Sequence, residues 1–156
     1  MATETFTHEF HTSIAPEKAF KCFIVDMAKT FPKIIPNAIN SIENEPNGIM
    51  KINLANGGKF KVKFDTVDTQ NKICKFTIIE GEYQGNKVNE SITVEEKFEP
   101  SNNGGCVIKT KTNFRPMATQ NYPKTALNAT GEIMAQGMSM FKAAEAFVLA
   151  NPAICT

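Results

Sequence analysis

The sequence predicts an α+β domain in which a long C-terminal helix covers one face of an antiparallel sheet. Three observations carry this. Residues 39–115 read as short runs alternating apolar and polar side chains, separated by tight turns, which is the pattern of antiparallel strands with one face covered. Residues 124–150 change to a helical period, rich in Ala, Met and Glu. Ahead of both lies one more alternating run, followed by two short helical segments. Packing that brings the helical stripe onto the apolar sheet face buries both at once.

The elements follow in order. In residues 5–12, Phe6, His8 and Phe10 share one face by the two-residue period. Pro16 sits where a first helical turn tolerates a missing N–H, and Phe20, Phe23 and Ile24 follow at helical spacing. A second helix is predicted from Met27 to Ile35, containing Pro32 and ended by Pro36. Pro46-Asn47-Gly48 is a turn between strands, and Asn56-Gly57-Gly58 is a hairpin signal. Residues 59–64, Lys-Phe-Lys-Val-Lys-Phe, alternate most clearly, with Lys59, Lys61 and Lys63 on a solvated face. Further strands are predicted at 73–79, ending at Glu80-Gly81, at 88–98 and at 106–114, the last two joined by Asn102-Asn103-Gly104-Gly105. In the helix, Thr130, Ile133, Met134, Gly137, Met140, Phe141, Ala144, Phe147 and Val148 form one stripe, stopped by Asn151-Pro152.

Composition bounds the function. The 156 residues make one domain, 1–156, large enough to bury a core without staples. Seventeen Lys and Arg against sixteen Asp and Glu argue against a nucleic-acid binder. No apolar run is long enough to span a membrane, and the first residues show no signal peptide. The expected location is therefore the cytoplasm, where the sequons at Asn89 and Asn128 have no role. Cys22, Cys74, Cys106 and Cys155 form no C-x-x-C pair and are expected as reduced thiols, mostly core fillers. His8 and His11 point to opposite faces, so no metal site is expected, and His8 is placed at the end of the core. No catalytic-triad, P-loop or dinucleotide motif is present, and no cofactor is expected.

This order of elements, with these residues, resembles the plant pathogenesis-related class-ten proteins, the START-like superfamily of the birch pollen major allergen and the major latex proteins. The similarity runs through Thr12-Ser13-Ile14 and Phe20-Lys21-Cys22-Phe23-Ile24-Val25-Asp26. It continues through residues 31–39, Phe-Pro-Lys-Ile-Ile-Pro-Asn-Ala-Ile, then Glu80-Gly81, Gly104-Gly105 and residues 143–150. It implies the helix-grip fold: a seven-stranded antiparallel sheet wrapped around the long helix, with two short helices after the first strand and a hydrophobic cavity inside. It also implies an intracellular plant protein, monomer or weak dimer, that binds a small hydrophobic molecule such as a hormone, flavonoid, alkaloid or terpenoid in defence or specialised metabolism. Some members of the family are enzymes, which leaves an isomerase or cyclase as the alternative. A receptor-like phosphatase regulator is weaker, because its Ser-Gly-Leu-Pro-Ala gate motif is absent.

The chain departs from the family in places. The long glycine-rich loop after the second strand is reduced to Glu45-Pro46-Asn47-Gly48, and Met50 stands where a lysine is usual. Of the residues invoked for ribonuclease activity in the family, Glu90 and Glu145 have counterparts, but the tyrosine position holds Phe147. Ribonuclease activity is therefore not expected.

Strand parity selects the inner face. It places Met50, Ile52, Leu54, Phe60, Val62, Phe64, Cys74, Phe76 and Ile78 there, with Ile92, Val94, Glu96, Phe98, Cys106, Ile108, Thr110, Thr112 and Phe114. With Phe23, Phe31, Ile133, Met134, Gly137 and Met140 these form a mostly apolar lining. On its own the pattern reads equally as a packed core, and the resemblance turns it into a ligand site. Phe64, Phe76, Ile133 and Met140 are expected against the ligand. Methionines around Gly137 suit an adaptable surface, though they also serve as gap fillers. Glu96, alone among apolar neighbours, is the first candidate for catalysis or polar recognition, unless a β-bulge turns it outward. Tyr83, in the loop expected after Glu80-Gly81, is the second, as a ring and hydroxyl at the cavity rim, or else a surface tyrosine.

Overall fold

The computed structural model describes residues 4–34, 36–37, 39–55, 57–83, 86–114 and 140–155, of which residues 4, 34, 80, 82, 83, 86–91 and 114 are described as backbone. Strand β1 (Glu4–Thr12) leads into α1 (Pro16–Phe20) and α2 (Met27–Ile34). Then come β2 (Ile39–Glu45), β3 (Ile49–Leu54), β4 (Lys59–Asp68), β5 (Ile73–Tyr83), β6 (Asn86–Pro100) and β7 (Cys106–Phe114). Residues 140–150 form the described part of the C-terminal helix, α3. The seven strands make one antiparallel sheet in the order β1-β7-β6-β5-β4-β3-β2. The first two strands of the chain are thus the two edges, and α1 and α2 carry the chain from one edge to the other.

Between the helices, residues Lys21–Val25 make a single π-helical turn, closed by the Asp26 N–H donating to the Lys21 carbonyl at 2.8 Å. Sequence periodicity does not separate such a turn from α-helix, and the turn places Cys22, Phe23 and Ile24 together in the core. Helix α2 runs through Pro32, which sits one residue after buried Phe31. Packing of Met27, Thr30 and Phe31 outweighs the hydrogen bond that Pro32 forgoes.

The sheet curves with the help of irregular pairings between Ile39 and Ser41, Lys61 and Val62, Phe64 and Thr66, and Ile78 and Glu80. Strand β5 continues past the expected stop at Glu80-Gly81. Gly81 is buried and pairs with Phe60, and a Cβ built there would stand 2.6 Å from the Phe60 ring. Only a glycine lets the two strands stay in register under that ring. Tyr83 consequently ends a strand, paired with Asn86, rather than lying in a loop.

The core lies between the inner sheet face, α1, α2 and α3. Phe20 meets Phe98 edge-on at 5.3 Å between ring centroids, Phe23 stacks on Phe141 of α3 at 5.5 Å, and Phe10 packs on Phe141 at 5.6 Å. The outer face is charged: Lys51–Glu43, Lys75–Glu95 and Lys109–Glu99 join neighbouring strands, and Lys61–Glu45 reaches across β3 from β4 to β2.

Two expectations are corrected. Cys22 and Cys155 are joined in a disulfide, with Cα atoms 5.6 Å apart, while Cys74 and Cys106 are free and buried. The bridge ties the segment after α3 to the π turn, and Lys18 donates to the Pro152 carbonyl beside it. Sequence spacing of 133 residues carries no signal of that proximity. His8 is exposed rather than seated in the core: Phe10, on the same face of β1, is covered by Phe141 of α3, whereas His8 two residues earlier is left uncovered. His11 is also exposed, 3.9 Å from Glu9. No group of residues able to hold a metal ion occurs among the described residues.

Candidate functional site

Cross-strand pairing arranges the inner face in rows. One row is Phe64, Phe76, Val94, Thr112 and Phe6, running from β4 through β5, β6 and β7 to β1. The next is Cys74, Glu96, Thr110 and His8. Beyond it stand Phe98, Ile108 and Phe10. A polar row therefore crosses an apolar face and ends at the exposed His8 on the sheet edge.

Glu96 is the centre of this row. Pairing of β6 with β7 has no register shift from Ile92 to Pro100, so no bulge turns the side chain outward. It is 5% exposed, and its Oε2 has no hydrogen-bond partner among the described residues. Burial among apolar groups pushes its pKa up to about 7, so the carboxyl exchanges its proton near neutrality. The Cys74 thiol beside it is pushed far up by burial, with the Glu96 charge adding to the effect, and is no nucleophile. No Lys or Arg stands at the inner positions of β3 to β7 among the described residues.

The predicted lining divides by accessibility. Phe23, Phe31, Leu54, Phe60, Val62, Cys74, Ile78, Phe98 and Thr112 are buried. Ile52, Phe64, Phe76, Val94 and Met140 are only partly buried, as is Met50. These partly covered residues include central-strand positions on the inner face. Phe64 and Phe76 face each other at 5.4 Å between centroids. Ile133, Met134 and Gly137 lie outside the described residues, and the side chains of Tyr83, Glu90 and Phe114 lie outside the described side chains.

Sequence reasoning missed a cleft of about 420 Å³ at one edge, lined by Ile24, Val25, Asn44, Glu45, Gly48, Ile49, Met50, Phe64, Val67 and Thr69. It contains three residues at inner-face positions, Met50, Phe64 and Val67, the last paired with Cys74, and two of its valines are exposed, Val25 (49%) and Val67 (47%). The short Pro46–Gly48 turn bounds it. The one available signal was that shortened loop, since Val25 belongs to no periodic face and Val67 falls off the parity of Phe60, Val62 and Phe64 until the irregular pairing after Phe64 turns it inward.

A seven-stranded antiparallel sheet with two short helices bridging its edges and a C-terminal helix against its inner face defines a helix-grip protein. The chain belongs to the pathogenesis-related protein Bet v 1 family, whose family model matches residues 1–151. It is 38% identical to the pathogenesis-related protein STH-2 of Solanum tuberosum, covering 99% of each chain. It is 32% identical to the major strawberry allergen Fra a 1-2 of Fragaria ananassa, covering 97% of this chain and 98% of that protein. Among solved structures, Ara h 8.0201 superposes with a TM-score of 0.78 at 28% identity, covering 96% of this chain and all of that one. Norcoclaurine synthase from Thalictrum flavum, solved with dopamine and hydroxybenzaldehyde, superposes with a TM-score of 0.71 at 21% identity, covering 96% and 88%. The last similarity concerns the fold.

Proposed function

We propose that the chain is a carrier or storage protein for a small hydrophobic molecule, held between the inner sheet face and the C-terminal helix. The observation that carries this reading is the set of partly covered apolar residues, Met50, Ile52, Phe64, Phe76 and Val94, at inner positions. Accessible apolar surface at such positions is the ordinary material of a ligand site. Family membership supports it, as does the cleft that reaches Met50 and Phe64 from outside. Titration with the neutral fluorophore N-phenyl-1-naphthylamine should give saturable, low-micromolar binding, about −8 kcal/mol. Phe76→Ala should weaken it several-fold. A linear, non-saturating response would overturn the reading.

An isomerase or cyclase is the second reading, favoured by one observation: Glu96 is buried, has no partner for its Oε2 among the described residues, and can gain or lose a proton near pH 7. Incubation with candidate ligands followed by mass spectrometry separates the two. Unchanged ligand supports the carrier, and a rearranged product lost in Glu96→Gln supports the enzyme. A cytoplasmic setting belongs to the same proposal, and in a reducing cytosol the Cys22–Cys155 bridge would be open.

A further inference from the structure

The Glu96 Oε2 is an acceptor with no donor among the described residues, buried on a face otherwise built from apolar rows. Buried polar groups in native proteins nearly always have a partner, and one left without costs the full loss of its hydration. The neighbours across the strands, Cys74 and Thr110, give its Oε2 no hydrogen bond, and among the described residues no inner Lys or Arg of β3 to β7 neutralises it. The missing complement is a donor, and the strongest donor to a carboxylate is one that carries positive charge.

Its place is defined. Val94 lies two residues along β6 on the same face, and Phe76 adjoins Cys74 in the same way on β5, both with accessible apolar surface. Phe76 in turn meets Phe64, which lines the 420 Å³ cleft. An apolar body resting on Phe64, Phe76 and Val94 therefore ends at Glu96. We infer that the ligands of this chain are hydrophobic amines, whose basic nitrogen donates to the Glu96 carboxylate. The inference rests on the hydrophobic-ligand reading above and names the ligand class for it. The carboxyl loses its hydration when the protein folds, so an ammonium has only its own hydration to give up and gains a charge-assisted bond. A neutral alcohol gains one ordinary bond, and an anion meets a buried carboxylate with no inner Lys or Arg among the described residues of β3 to β7.

Three probes with the same naphthalene body test it: 2-(1-naphthyl)ethylamine, 2-(1-naphthyl)ethanol and 1-naphthaleneacetate, each titrated at about pH 8 by calorimetry. The wild-type chain should bind the amine at least tenfold more tightly than the alcohol, with the anion weakest. Glu96→Gln should abolish the amine's advantage over the alcohol. Equal binding of amine and alcohol by the wild-type chain, with N-phenyl-1-naphthylamine still bound, overturns this inference alone. An amine preference that survives in Glu96→Gln overturns it as well. Saturable binding of none of the probes overturns both the inference and the reading beneath it. The wild-type ranking needs no variant, so a poorly folding Glu96→Gln does not remove the test.

Discussion

A carboxyl enclosed by apolar strands destabilises the fold whenever it is charged, and Glu96 makes that cost depend on pH. Its ordinary value, 4.5, is raised to about 7 by burial. Below about pH 4.5 the group is protonated in both folded and unfolded chains, and no charge is buried. As pH rises toward 7 the unfolded chain gives up its proton first, so stability is lost through that window and stays lost above it. The interval corresponds to about 3 kcal/mol. Glu96→Gln should therefore stabilise the protein by about 3 kcal/mol at about pH 8 and by less than about 1 kcal/mol near pH 4.5, read from urea midpoints. An equal gain at both pH values would mean that the folded carboxyl titrates like an exposed one. The inward position of Glu96 was legible from parity alone because β6 meets β7 without a slip. Its partnerlessness was only half legible: the sequence offers no inner cation, but whether Thr110 would reach it depends on side-chain placement.

The strands show where reading by period succeeds and where it stops. Alternation through Phe60, Val62 and Phe64 identified the inner face, and Lys59, Lys61 and Lys63 point outward as expected. The irregular pairings were invisible, since an extra residue in a strand costs little locally and leaves no compositional mark. One of them, between Ile78 and Glu80, extends β5 and moves Tyr83 out of its expected loop. The same region yields a test at Gly81. Gly81→Ala pushes a methyl against the Phe60 ring, which is itself buried, and should cost about 1–3 kcal/mol in urea unfolding. Phe60→Leu in the same chain should restore part of that loss, giving a favourable coupling between the two changes. Strictly additive effects would mean that the strand shifts away instead.

At the scale of the molecule, the pairing of Cys22 with Cys155 is the feature that no local pattern announces, because it depends on where α3 ends relative to the π turn. Chain-entropy arguments give a closure of this length a stabilisation of about 5 kcal/mol, with strain and residual structure lowering it. Reduction should lower the urea midpoint of the wild-type chain and leave that of a Cys22→Ser, Cys155→Ser variant unchanged. Four reactive thiols in the unreduced, denatured protein would show that the bridge does not form in solution. His8 illustrates the complementary limit, since parity gives the face a residue is on but not which positions along that face another element covers, and Phe10 is covered where His8 is not. The bridge also changes how the molecule answers a pull on its two ends. With the sulfurs joined, tension passes from residue 1 to Cys22 and straight across to Cys155, so the six strands β2 to β7 lie outside the path of the force. Only the segment ahead of Cys22 can be drawn out, at most about 80 Å, beginning with β1 shearing from β7. With the sulfurs apart the whole chain lies in the path and extends to roughly 550 Å, so one bond decides whether this protein behaves as a short tether or a long one.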